Sequence, residues 1–159
     1  MRKFIICALF FCMGTTAVHS QEVYSKIMQM SKDVAEDRSR SLTTRKIATF
    51  KVDELNYMVM KARELMPDST MRMLDVQALA MYDYVELFIK QLTIESKKRE
   101  RKAVIDLFKR ITLENPRYFD MDKELIMSYI NTEGYLTQFS LDTDWVKALD
   151  AVKKVLSNL

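Results

Sequence analysis

The stretch MRMLDVQALAMYDYVELFIKQL, Met71 to Leu92, decides the fold. Leu74, Ala78, Met81, Val85, Phe88 and Leu92 recur at alternating steps of four and three, one continuous stripe on an α-helix. Met73, Ala80, Tyr84 and Leu87 widen that stripe on one side, and Tyr82 and Ile89 widen it on the other. Polar residues keep only a narrow strip: Arg72, Asp75, Asp83, Glu86 and Lys90. A helix that is apolar around most of its circumference needs neighbours on several sides. The spacing therefore predicts the central helix of a bundle.

Upstream, Leu55, Met58, Val59, Ala62, Leu65 and Met66 mark a second amphipathic helix, which Pro67 stops. Asp68, Ser69 and Thr70 are consecutive N-cap candidates for the central helix. So short a connection makes the two helices antiparallel neighbours. Before them, Val23, Ile27, Met30 and Val34 mark a first helix from about Glu22 to Asp37, followed by Arg38-Ser39-Arg40-Ser41, which has no apolar residue and reads as a loop or a frayed helix end.

Downstream, the apolar stripe lapses over ESKKRERK, Glu95 to Lys102: either the central helix runs on as a solvated rod or the chain turns near Ser96. A turn or kink is favoured, because one helix to Glu114 would be ~65 Å long. Val104, Leu107, Phe108 and Ile111 give the next helix its inner face, and Asn115-Pro116 ends it. A short fifth helix is expected from Asp120 or Asp122 to just before Gly134, burying Leu125, Ile126, Tyr129 and Ile130. That glycine suits the left-handed C′ position of the helix. Trp145, Leu149, Val152 and Leu156 form the stripe of the last helix. Asp142 is its expected N-cap, with Leu141 and Val146 as a hydrophobic staple and Asp144 favouring the positive end of the helix dipole.

The first twenty of the 159 residues have the pattern of an export signal. Arg2 and Lys3 are basic, Phe4 to Met13 is an apolar run, and Val18 and Ser20 are small residues placed for cleavage before Gln21. The run is too short for a membrane span, which needs ~20 apolar residues. Lipid attachment at Cys12 is disfavoured by bulky Phe10 and Phe11 before it. The expected organisation is thus a signal peptide, 1–20, and a single all-helical domain, 21–159, of five to six helices. Both cysteines (Cys7 and Cys12), the single histidine (His19) and Gly14 would leave with the signal. The 25 basic residues become 23 against 22 acidic ones, a net charge of +1 that argues against a general nucleic-acid binder.

Without histidine or cysteine, the cleaved chain has no imidazole or thiol catalysis and no Cys/His zinc site. It contains no GxxxxGK[ST] or GxGxxG phosphate cradle. Carboxylate chemistry at Glu54, Glu124 or Glu133 would satisfy a glycan-cleaving enzyme, but the pattern around them is that of exposed helix carboxylates. Met28/Met30, Met58/Met60 and Met71/Met73 have the M-x-M spacing of Cu(I) handlers. On a helix, residues two apart point ~200° from each other, so core filling is the favoured role. Lys97 to Lys102, KKRERK, reads as a solvated helical face with local ion pairs. Tyr118, Phe119, Tyr129, Tyr135, Phe139 and Trp145 cluster in the last third, most of them expected to close the core there, with a peptide or sugar groove as the other use.

The runs FKVDELNYM (50–58), MPDST (66–70) and LDVQALAMYDYVELF (74–88) resemble those of small exported all-helical proteins of Gram-negative gut bacteria. That resemblance implies the helical fold and a periplasmic or surface location, and assigns no functional residue. Asp68-Ser69-Thr70 is also similar to an O-glycan acceptor pattern of such bacteria, with a helix-capping turn as the competing explanation. The expectation that follows is a non-enzymatic accessory or interaction protein whose partner is another envelope protein, with no catalytic, cofactor or metal residues, no nucleic acid and no membrane span after cleavage. A metal- or ligand-binding helical protein is the alternative, and a carboxylate hydrolase the third. Exposure separates them: an apolar outer patch, converging sulfurs, or a cleft with paired carboxylates.

Overall fold

A computed structural model describes residues 22–66, 71–95, 97–132 and 134–158. The expected signal peptide and its cleavage point, Pro67, the Asp68-Ser69-Thr70 cap and glycan candidates, Ser96 and Glu133 lie outside them. Seven helices and no strand occur among the described residues: α1 (Glu22–Glu36), α2 (Leu42–Leu65), α3 (Met71–Ile94), α4 (Lys98–Glu114), α5 (Lys123–Ile126), α6 (Ser128–Asn131) and α7 (Trp145–Leu156). The protein is an all-α helical bundle.

α3 is the centre of it, packing against α1, α2, α4 and α7. Ala78, Met81, Tyr84, Val85 and Phe88 on this helix are completely buried. The polar strip differs from the expected one. Asp75 is buried because its carboxylate accepts the backbone N–H of Tyr24 at 2.8 Å, satisfying a free donor in the first turn of α1. Met73, Val76 and Leu79 stand exposed instead, so Met73 does not belong to the inner stripe.

Lys51 on α2 and Glu86 on α3 both sit near mid-helix and pair at 2.6 Å, the alignment of an antiparallel hairpin. Ser41 caps α2, its hydroxyl accepting Thr44 N–H at 3.1 Å. α3 ends at Ile94 and α4 starts at Lys98, so the break falls where the apolar stripe lapses. Arg101 reaches back to the carbonyl of Leu92 at 2.7 Å and satisfies one of the free acceptors at the end of α3. Lys97 pairs with Glu100, and Lys102 with Asp106, on the solvated face expected for KKRERK.

The expected fifth helix is instead two single turns, α5 and α6, broken at Met127. The carbonyl of Ile126 accepts the N–H of Leu141 at 3.1 Å, so a distant segment takes the acceptor that would have continued the helix. Gly134 has φ +85, the left-handed geometry that favours glycine, but α6 is capped at Thr132, so the glycine lies two residues past the cap and not at the expected C′ position. The N-cap of α7 is Asp144, not Asp142, which moves the staple positions off Leu141 and Val146. The core is closed by edge-to-face aromatic contacts, with Trp145 of α7 at 5.4 Å from Tyr84 and Phe139 at 5.0 Å from Phe88.

Candidate functional site

α4 is capped at its C-terminus by Asn115, whose side-chain amide donates to the carbonyl of Ile111 at 2.8 Å, and Pro116 blocks continuation. The loop that follows is fastened to the segment before α7. Asp142 is buried, and its carboxylate accepts three backbone N–H groups: Arg117 at 3.0 Å, Tyr118 at 2.7 Å and Asp120 at 2.9 Å. The N–H of Asp144 adds a bond to the Asn115 carbonyl at 2.8 Å. Asp142 was expected to cap α7; these three donors from a different part of the chain claim it instead.

Phe119 lies between the N–H groups that Asp142 holds, and its φ is +53. A bulky residue in this left-handed region costs about 1–2 kcal/mol, where glycine or asparagine would cost little. Its ring recovers little by burial, since Phe119 is 73% exposed. Met121, two residues on, is 85% exposed. Together with Leu113 they border a concavity of about 320 Å³ floored by Pro116, Ile126 and Met127, with Lys123 in its lining. Neither the backbone nor the packing of this chain accounts for a phenylalanine at 119.

The inner side of the loop is equally fixed. Asp120 accepts from the Tyr57 hydroxyl at 2.9 Å and pairs with Lys61 at 3.0 Å, tying the loop to α2. Burial by itself would raise the Asp120 carboxyl, but bonds from Asp122 N–H, Lys61 and Tyr57 outweigh it and hold the group below the usual carboxylate range. Burial pushes the Tyr57 hydroxyl up, and the bond to Asp120 adds to that. The result is a preformed tip carrying two exposed apolar side chains on a rigid base.

Of the carboxylates weighed for catalysis, Glu54 is not an exposed helix acid. It is 0% exposed, and its Oε1 accepts the indole N–H of Trp145 at 2.7 Å. Its Oε2 is buried with no hydrogen-bond partner among the described residues. Burial raises the Glu54 carboxyl well above the ordinary range; the Trp145 bond opposes this and the nearby Asp142 charge adds to it. Glu124 is exposed on α5, on no element shared with Glu54, and Glu133 lies outside the described residues.

The methionines divide as helix geometry requires. Met58 is buried and Met60 exposed; Met28 is half-buried and Met30 exposed; Met73 is exposed, and the side chain of Met71 lies outside the described part. Core filling therefore describes Met58 and Met81, and does not describe Met30, Met60, Met73 or Met121. No group of three or more His, Cys, Asp or Glu placed to hold a metal occurs among the described residues. No helix among them is long and apolar enough to cross a membrane.

The aromatic cluster of the last third splits in the same way. Trp145, Phe139 and Tyr129 are buried, Tyr118 and Tyr135 are half-buried, and Phe119 alone of the six stands outside. Nothing in the local sequence separated Phe119 from the others; the Asp142 bonds that turn it outward are tertiary. No known protein family, characterised protein or solved structure matches the chain.

Proposed function

We propose that the protein is an exported, non-enzymatic interaction module of the bacterial envelope, whose Phe119–Met121 tip enters a cleft on another envelope protein. The observation that carries this reading is Phe119, held at φ +53 with its ring 73% exposed. A strained residue kept where its side chain gains little within its own fold points to a use outside it. An aromatic anchor on a rigid base suits binding, because buried aromatics dominate interface energies and a fixed loop loses little freedom on docking. The export half of the proposal is supported by the basic, apolar and small-residue order of positions 1–20.

Phe119→Asn tests it, because asparagine accepts the left-handed backbone while removing the ring. The variant folds with stability equal to or above that of the parent, and loses at least tenfold of the envelope protein that co-purifies with the parent. Undiminished recovery of the same partner contradicts the assignment.

A further inference from the structure

Lys51 is only 7% exposed, although it lies mid-way along a helix in a chain with ample apolar residues to fill the core. Its ammonium is fixed on one side by Glu86 at 2.6 Å and stands 4.2 Å from the centroid of the Tyr82 ring. An ammonium has three donors, and Glu86 is a single oxygen partner. Beside it lies a cavity of about 280 Å³ between α1, α2 and α3, which Lys51 lines together with Arg40 at the end of the α1–α2 loop. Most of the wall is apolar, with Val34 of α1, Ile47 of α2 and Ile89 of α3.

Two costs therefore meet at one place. Burying a cation is unfavourable, and the half-open cavity beside it leaves the apolar side chains Val34, Ile47 and Ile89 only half-buried. The fold needs neither, and sites that sacrifice stability are where function is found. The charged residues in the wall are Arg40, Lys51 and Glu86; Lys51 is paired with Glu86 at 2.6 Å, and Arg40 is paired through Nε with Asp37 at 3.2 Å. One carboxylate contact does not exhaust the donors of either cation, so the cavity offers N–H groups for a further acceptor beside an apolar wall. Its volume, at ~30 Å³ for each water-sized group, holds roughly nine or ten heavy atoms.

We infer that this cavity is a binding site for a small amphipathic monocarboxylate, whose carboxylate is held by Lys51 and Arg40 and whose apolar body lies against Val34, Ile47 and Ile89. The site shares no lining residue with the concavity beside Phe119, so it stands independently of the proposed partner surface.

The test is calorimetric titration of the full chain with sodium octanoate, with phenylpropionate as an aromatic carboxylate of similar size and octylammonium as the charge-reversed control. Either carboxylate binds with one-to-one stoichiometry and at least tenfold more tightly than octylammonium. Arg40→Gln, at a side chain that is 60% exposed and safe for folding, weakens binding about fivefold. Lys51→Met, which removes the charge, abolishes it. Equal affinity for octanoate and octylammonium, or affinity unchanged in Arg40→Gln, would overturn the assignment. Lys51→Met that folds and still binds would do the same.

Discussion

The indole nitrogen of Trp145 donates to Oε1 of Glu54 at 2.7 Å inside the core, joining the first residue of α7 to the middle of α2. A buried acid with one oxygen bonded and the other unpartnered is stable in its protonated form. Because burial raises the folded-state pKa above the ordinary 4.5, the folded chain holds a proton that the unfolded chain releases. The stability this contributes is full below pH ~4.5 and declines as pH rises from there through the folded-state value. Glu54→Gln keeps the acceptor for Trp145 and removes the titration. Denaturation of parent and variant from pH 4 to pH 9 will show the variant gaining on the parent as pH rises; a constant difference would show that Glu54 is ionised in the folded protein.

Trp145→Phe leaves Oε1 of Glu54 without its donor in a sealed site. An unsatisfied buried acceptor costs about 1–3 kcal/mol, in addition to the lost ring area. The loss seen by urea denaturation should shrink when the substitution is made in a Glu54→Leu background, since the acceptor is then absent. An unchanged loss would assign the whole effect to packing.

Asp142→Ala releases three backbone N–H groups at once, those of Arg117, Tyr118 and Asp120. At about 1 kcal/mol each, the expected loss is roughly 3 kcal/mol, concentrated in the loop. Amide hydrogen exchange should accelerate at these three positions and stay unchanged at Val85 and Phe88. Exchange that remains slow in the loop would mean that something other than Asp142 holds it.

The central helix was legible because its evidence is local: the 3.6-residue period of Leu74 to Leu92 is written in the stretch itself. The break after Ile94 and the end of α4 before Pro116 were legible for the same reason. What escaped was decided at long range. Asp142 and Asp144 are two residues apart and chemically alike, and only the three N–H groups of the distant 117–120 loop determine which one caps α7. Glu54 looks like any helix carboxylate until Trp145, far along the chain, is folded over it. The split of α5 from α6 follows from Leu141 taking the Ile126 carbonyl, a contact with no sequence signal. Phe119 was one aromatic among six, and its exposure is a consequence of that same loop.

Phe88→Ala, at a fully buried position in the middle of α3, should destabilise by about 3–5 kcal/mol through lost transfer energy and the cavity left behind. Glu86→Ala would cost only a few tenths if Glu86 paired with exposed Lys90, four residues on. The partner of Glu86 is instead Lys51, whose side chain is nearly buried, so the substitution strands a cation and should cost about 1–3 kcal/mol. Making it in a Lys51→Met background should recover most of that loss. A loss in Glu86→Ala below half a kilocalorie would show the Lys51–Glu86 pair to be weak in solution.

In the proposed function, a partner protein covers the Phe119 tip in the cell. A photoreactive phenylalanine analogue at position 119, and the same group at exposed Arg99 on α4 as a control, can be activated in intact cells. A single heavier adduct with another envelope protein is expected from position 119 and none from position 99. Adducts only with lipid, only with a second copy of the chain, or equally from both positions would contradict it.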